Sequence, residues 1–95
     1  MPQHPQLIGT FAGHQIQASE HLRSASVEGI SDTERLRHLD KAAMFATAAT
    51  KCATNMYERA LAYAQYQCAM GIAMLVQSHI HTEPVEFPTS PLNGF

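Results

Sequence analysis

The sequence predicts an all-α fold, and three observations lead to this prediction. Residues 32–81 contain one glycine, Gly71, and no proline, and good helix formers such as alanine, leucine and glutamine dominate them. Apolar residues on both sides of Gly29 recur every three or four positions. Gly29 and the motif SDTE at 31–34 place a helix stop directly before a helix start. The predicted architecture is therefore a helical hairpin with an extended tail at each end.

The size and composition of the chain point to a protein partner. Its 95 residues allow one small domain, in which surface dominates volume. Hydrophobic residues make up 45% of the chain and charged residues only 15%, against about 25% in typical domains. Because a small monomer needs more charge than this, we expect another protein to cover part of the surface. The net charge of −2 gives no support for nucleic-acid binding, which needs clustered Lys and Arg.

The chain divides into three parts. Residues 1–9 contain two prolines and no periodic pattern, so they are predicted to form an extended N-terminal tail. Residues 10–81 form the predicted helical hairpin domain. Residues 82–95 form a proline-rich C-terminal tail, which is expected either to be disordered or to dock Phe87 and Phe95 in a groove between helices.

The first predicted helix spans about residues 10–28 and is amphipathic. Gly29 is expected to adopt the left-handed conformation that commonly closes a helix. Ser31 is expected to cap the next helix by accepting a hydrogen bond from the Glu34 amide, so residues 29–31 form a tight turn. The apolar face of this helix consists of Phe11, Ile16, Ala18, Leu22 and Ala25.

The second predicted helix is long and runs from about residue 32 to residue 81. Three threonines and an asparagine lower helix propensity near residues 47–55, so a break there is the alternative and would produce a three-helix bundle. Arg35, Arg37 and Lys41 are flanked by acidic residues and are expected to form a solvated helix face. The first half carries a coiled-coil-like seam of mostly small residues, which are Leu36, Leu39, Ala43, Ala46, Thr50 and Ala53.

The second half of the long helix is the candidate interaction site. A first helix of about 19 residues reaches back only to about residue 50, so segment 56–80 is expected to lack a covering helix from its own chain. No charged residue occurs between Arg59 and Glu83, and apolar side chains surround the helix axis. The polar residues 57–59 are expected to form either an exposed turn or the rim of an interface. The residues predicted to contact a partner are Met56, Ala60, Leu61, Tyr63, Gln67, Cys68, Met70, Ile72, Met74 and Leu75.

The sequence contains no recognisable catalytic or metal-binding motif. HExxH, ExxH and CxxC are absent, and the six histidines are not spaced to share an ion. Cys52 and Cys68 lie about 24 Å apart if they share one helix, which is too far for a disulfide. Because no secretory leader is recognised either, a cytoplasmic protein is expected. We expect no catalytic residue, no cofactor and no metal.

The expected function is that of a non-catalytic assembly or protein–protein interaction subunit, chaperone-like or structural, in a homo-oligomer or a larger complex. The plan of a short helix, a turn and a longer helix resembles that of small chaperones and of structural subunits of bacterial secretion machines, which implies an assembly role. Two alternatives remain open. One is a small membrane-associated subunit that inserts residues 60–80, and the other is a helical-bundle metal binder or enzyme that uses the histidines.

Overall fold

The computed structural model describes residues 9–81, which form three helices. The helices are α1 at Phe11–Ala25, α2 at Asp32–Cys52 and α3 at Met56–His81. The all-α prediction is confirmed. Apart from Gly9, the two predicted tails lie outside the described residues, and so do Phe87 and Phe95.

The single helix expected over residues 32–81 is in fact two helices, because the chain turns between Cys52 and Met56. The turn lies within residues 47–55 and produces the three-helix arrangement that was the alternative prediction. Just before it, the hydroxyls of Thr47 and Thr50 donate to the carbonyl oxygens four residues earlier, at 2.9 and 3.0 Å. Such side-chain bonds compete with the regular helical hydrogen bonds and weaken the end of α2.

The start of α3 is fixed by a reciprocal cap. The Asn55 side-chain oxygen accepts a hydrogen bond from the Glu58 amide at 2.8 Å, and the Glu58 carboxylate accepts one from the Thr54 amide at 2.9 Å. These bonds satisfy backbone donors that have no partner within a helix. Glu58, expected to lie on an exposed turn or an interface rim, is therefore part of a helix cap.

The turn between α1 and α2 follows the sequence prediction closely. Gly29 has a φ of +92°, in the left-handed region that favours glycine. The Ser31 hydroxyl accepts a hydrogen bond from the Glu34 amide at 3.0 Å, as the capping motif predicts. Helix α1 ends at Ala25, three residues before the predicted end, and the Ser26 hydroxyl donates back to the Leu22 carbonyl at 3.0 Å.

Arg35 closes the C-terminal end of α1 from the neighbouring helix. Its guanidinium donates to the carbonyl oxygens of Ala25 at 2.6 Å and Ile30 at 3.3 Å. The side chain is only 23% exposed, so the expectation of a solvated position is wrong for this residue. A guanidinium suits this place because its several donors can satisfy carbonyls that the helix leaves without partners.

Helix α2 lies between the other two helices and runs antiparallel to both. The α1–α2 turn brings Arg35 to the end of α1, and the thiol of Cys52 at the other end of α2 lies 3.5 Å from the Gly9 carbonyl. His79 near the end of α3 lies 3.2 Å from the Asp32 carboxylate at the start of α2. Both outer helices therefore pack along α2, and they touch each other much less.

The core of the described region consists almost entirely of alanine. Leu39 is its one fully buried large side chain. A buried alanine methyl contributes only about 0.8 kcal/mol, but its small size allows helices to approach closely. The predicted seam on α2 is largely confirmed, since Leu39, Ala43 and Ala46 are buried and its other members are half-buried. The buried apolar residues are Ala18, Ala25, Leu39, Ala42, Ala43, Ala46, Ala49, Ala62 and Ala69.

Candidate partner-binding surface

One face of α3 packs on α2 through small residues. Ala62 and Ala69 are fully buried, and Ala69 forms a cluster with Ala42 and Ala43 of α2, against which Tyr66 packs. The expectation that no helix of the chain covers residues 56–80 is therefore wrong for this face. Because the chain turns between α2 and α3, α3 folds back along α2, and α2 covers this face.

A second face of α3 is uncovered. We call it the outer seam and define it as residues Met56, Ala60, Tyr63, Gln67, Met70 and Met74, all of which are exposed. These positions alternate by four and three residues, which is the spacing of a coiled-coil seam. Met56 is 78% exposed, Met74 65% and Tyr63 56%. Single exposed apolar residues are ordinary, but a continuous row of them is typical of an interaction surface.

The outer seam lies beside the face that packs on α2. Tyr63 follows the buried Ala62, and Met70 follows the buried Ala69, so the two faces are about 100° apart around the helix axis. A partner helix can therefore contact the outer seam without displacing α2. Next to Tyr63, an open groove of about 340 Å³ between α2 and α3 could receive side chains from such a partner, and it is lined by Thr47, Thr50, Lys51, Tyr63 and Tyr66.

Three other predicted interface residues also lie beside the α2-facing surface, but on the flank away from the outer seam. Leu61, Cys68 and Leu75 are exposed and recur every seven residues. Ile72 is only half-buried rather than exposed, because it lies three positions after Ala69 and is turned toward α2. The structure thus leaves nine of the ten predicted interface residues exposed, on two separate sides of α3.

The two glutamines of the apolar segment have different surroundings. The Gln65 amide donates to the Ser19 hydroxyl at 2.9 Å and to the Gln15 carbonyl at 3.2 Å, so it joins α3 to α1. The Gln67 amide is exposed on the outer seam and donates to the Tyr63 hydroxyl at 2.5 Å. Sequence reasoning missed the role of Gln65, although it lies between the buried positions Ala62 and Ala69, where a polar side chain needs a partner.

The outer seam carries no charged side chain. Within α3, the charges next to it are those of Glu58 and Arg59 at the beginning of the helix, where Glu58 is held by the helix cap, and Lys51 of α2 lines the groove beside Tyr63. The outer seam itself offers apolar side chains and one polar feature, the hydrogen-bonded pair of Tyr63 and Gln67.

No protein-family model, curated protein or solved structure matches the chain. The hairpin plan, on which the resemblance to small chaperones and secretion subunits depended, is replaced by three helices. No helix within residues 9–81 combines the length and the hydropathy that crossing a bilayer requires.

Histidines occupy the contact between α1 and α2, where sequence reasoning expected mainly surface residues. The Nδ1 atoms of His21 and His38 lie 3.1 Å apart, and the His21 ring stacks on Phe45 with ring centroids 5.7 Å apart. Burial lowers the pKa of His21, and the neighbouring His38 and Lys41 lower it further, while Glu20 acts in the opposite direction. In the described part of the chain, no three histidine, cysteine or acidic side chains are grouped so that they could hold a metal ion.

Proposed function

We propose that this chain is a non-catalytic helical subunit that assembles through the outer seam of α3. The observation that carries the proposal is a contrast between two faces of α3. All six residues of the outer seam are exposed, whereas the buried residues of the face that packs on α2 are alanines. Large apolar side chains outside and small ones inside are the reverse of what a self-sufficient monomer needs. A partner helix on the outer seam restores the usual distribution.

The energetic balance supports reversible association. The four large seam residues, three methionines and a tyrosine, are between 37% and 78% exposed. With a contribution of about 1.5–3 kcal/mol for each fully exposed side chain, burying them in two copies yields about 7–14 kcal/mol. Association costs about 4–15 kcal/mol in lost freedom of motion. Because the two terms are similar, we expect assembly to depend on protein concentration.

Two further features fit this function. Methionine has a flexible and polarisable side chain, so a methionine-rich seam adapts well to a partner surface. The free cysteines, Cys52 half-buried and Cys68 exposed, are consistent with a reducing compartment, and we place the subunit in the cytoplasm.

Sedimentation velocity of the purified full-length chain over the micromolar range tests the proposal. We expect the weight-average sedimentation coefficient of the wild type to rise with concentration. Met70→Glu should remain monomeric, because a carboxylate within the assembled seam would be buried without a partner. A stable, fully helical monomer at every concentration of the wild type would contradict the proposal.

Ile16→Glu is the matched control. It also places a glutamate at an apolar side chain of similar exposure, 42% against 37% at Met70, but it lies on α1, whereas every outer-seam residue belongs to α3. Its association should equal that of the wild type. Equal loss of association in both variants would mean that added negative charge, rather than the outer seam, determines the result.

A further inference from the structure

We infer that the partner on the outer seam is a second copy of this chain, packed antiparallel, with a two-fold axis level with residue 65. This inference rests on the proposed function and specifies its partner and geometry. The two-fold axis would place every outer-seam residue opposite the one equally far on the other side of residue 65. Met56 then faces Met74, Ala60 faces Met70 and Tyr63 faces Gln67.

The side-chain volumes favour this arrangement. The small Ala60 lies opposite the large Met70, so the two layers that contain them are evenly filled. In a parallel dimer, each residue would instead face its own copy. Ala60 would then leave a gap opposite Ala60, next to a crowded layer in which two Tyr63 rings meet, and both gaps and overpacking are destabilising.

The polar groups favour it as well. Tyr63 and Gln67 are already hydrogen-bonded within one chain at 2.5 Å, so both side chains point to the same part of the outer seam. Across the proposed axis, each meets the other from the second copy. The hydroxyl and the amide together offer donors and acceptors, so the four groups can satisfy one another when water is removed.

A second copy fits the seam better than the chain's own C-terminal tail does. The spacing of the outer seam matches a helix, which presents apolar side chains every three or four residues along its whole length. Residues 82–95 have prolines at 84, 88 and 91, which cannot lie inside such a helix. A second α3, by contrast, is already folded on its own α2, so association does not have to order it.

Disulfide trapping in the full-length chain tests the geometry. Cys52 and Cys68 are first replaced by serine. Met56→Cys is then made in one preparation and Met74→Cys in another, which carries a size tag. Under mild oxidation, the mixture should form the mixed disulfide dimer at least about five times more than either preparation forms its own, because only opposed positions come within disulfide reach.

The outcomes distinguish this inference from the proposed function. If the cysteine-free parent is monomeric in sedimentation while the wild type associates, the geometry is judged in the wild-type background instead. There a mixture of Ala60→Glu and Met70→Lys should restore association, and a mixture that restores none overturns the inference. If the wild type itself is monomeric, the proposed function fails. A dimer that prefers Met56–Met56 and Met74–Met74 disulfides is parallel, and a dimer that gives none uses another surface. Either result overturns the inference alone.

A tail variant decides between the two occupants of the seam. Phe87→Ser together with Phe95→Ser should leave trapping of the mixed dimer unchanged. If trapping occurs only in this variant, the tail of the same chain occupies the outer seam in the wild type, and the inference is overturned.

Discussion

The Nδ1 atoms of His21 in α1 and His38 in α2 approach to 3.1 Å, so one imidazole must donate and the other must accept. Protonation of both rings would place two like charges in contact, with Lys41 also close enough to act on His21. The contact between the first two helices therefore depends on at least one neutral imidazole.

Acidification should destabilise the protein through this pair. The pKa of His21 is lowered in the folded state below the ordinary value of 6.5, first by burial and then by His38 and Lys41. Between the folded and unfolded pKa values the unfolded chain binds more protons, so stability falls as the pH drops below about 6.5. Urea denaturation followed by circular dichroism should give a lower midpoint at about pH 5 than at about pH 7.5.

The histidine responsible can be identified by substitution. His21→Gln should reduce the difference in midpoint between the two pH values, since glutamine has no titrating group. Gln17→Ala, at a half-buried and non-titrating side chain of the same helix, is the control for the general effect of a substitution in α1 and should leave the difference unchanged. If His21→Gln retains the full difference, this pair does not determine the acid sensitivity.

Arg35 should contribute more to stability than its neighbour Arg37. Arg35→Gln removes the charged donor that reaches the Ala25 carbonyl at 2.6 Å, and we expect a loss of about 1–2 kcal/mol in the free energy of unfolding. Arg37→Gln, at an exposed position on the same helix, should cost less than about 0.5 kcal/mol. Urea denaturation measures both, and similar losses would mean that the cap on α1 has little energetic value.

Asn55 should determine where α3 begins. Asn55→Ala removes the acceptor for the Glu58 amide and should cost about 1 kcal/mol, whereas Asn55→Ser keeps a capping oxygen and should cost much less. Hydrogen exchange of the Glu58 amide reports on the same bond and should be faster in Asn55→Ala. Equal stability of the alanine and serine variants would contradict a capping role.

Gln65 and Gln67 should separate folding from assembly. Gln65→Glu loses both donated hydrogen bonds and brings a carboxylate to the Gln15 carbonyl, so it should destabilise the monomer by about 1–3 kcal/mol. Gln67→Glu leaves the exposed monomer nearly unchanged but places a charge within the outer seam, so it should weaken association instead. Urea denaturation at low concentration and sedimentation at high concentration distinguish the two, and the opposite pattern would refute the assignment.

A charge swap tests the pairing of Ala60 with Met70 independently of disulfides. Ala60→Glu alone and Met70→Lys alone should each prevent association. An equimolar mixture should associate at least about ten times more tightly than either variant, because one Glu–Lys pair and one native contact form in the mixed dimer. In a parallel dimer the introduced charges do not face each other, and mixing would restore nothing.

Sequence reasoning predicted the features that depend on neighbouring residues. The left-handed Gly29, the Ser31 cap and the buried Ala43 and Ala46 on α2 follow from turn chemistry and heptad spacing. The cap at Asn55 was also readable, since Asn55 and Glu58 have the spacing of a capping box. It was overlooked because the strong helix propensity on both sides favoured a continuous helix.

The exposed face of α3 could be predicted only in part. Its apolar character follows from the absence of charge in the segment, and the proposal that a partner covers it started from the same observation. Which side of α3 would pack on α2 did not follow, because Ala62 and Ala69 repeat with the same period as the larger residues beside them. Periodicity alone does not rank two faces of a helix that is apolar on all sides.

The sequence by itself determined the all-α class, the turn at Gly29 with the Ser31 cap and the presence of a long uncharged apolar segment, because these depend on residues close to one another along the chain. The tertiary structure decided that α3 folds back and that its alanine face is the inner one. Packing between distant residues makes that choice, since small side chains allow the backbones of α2 and α3 to approach closely. The methionines and Tyr63 of the outer seam are consequently left on the outside.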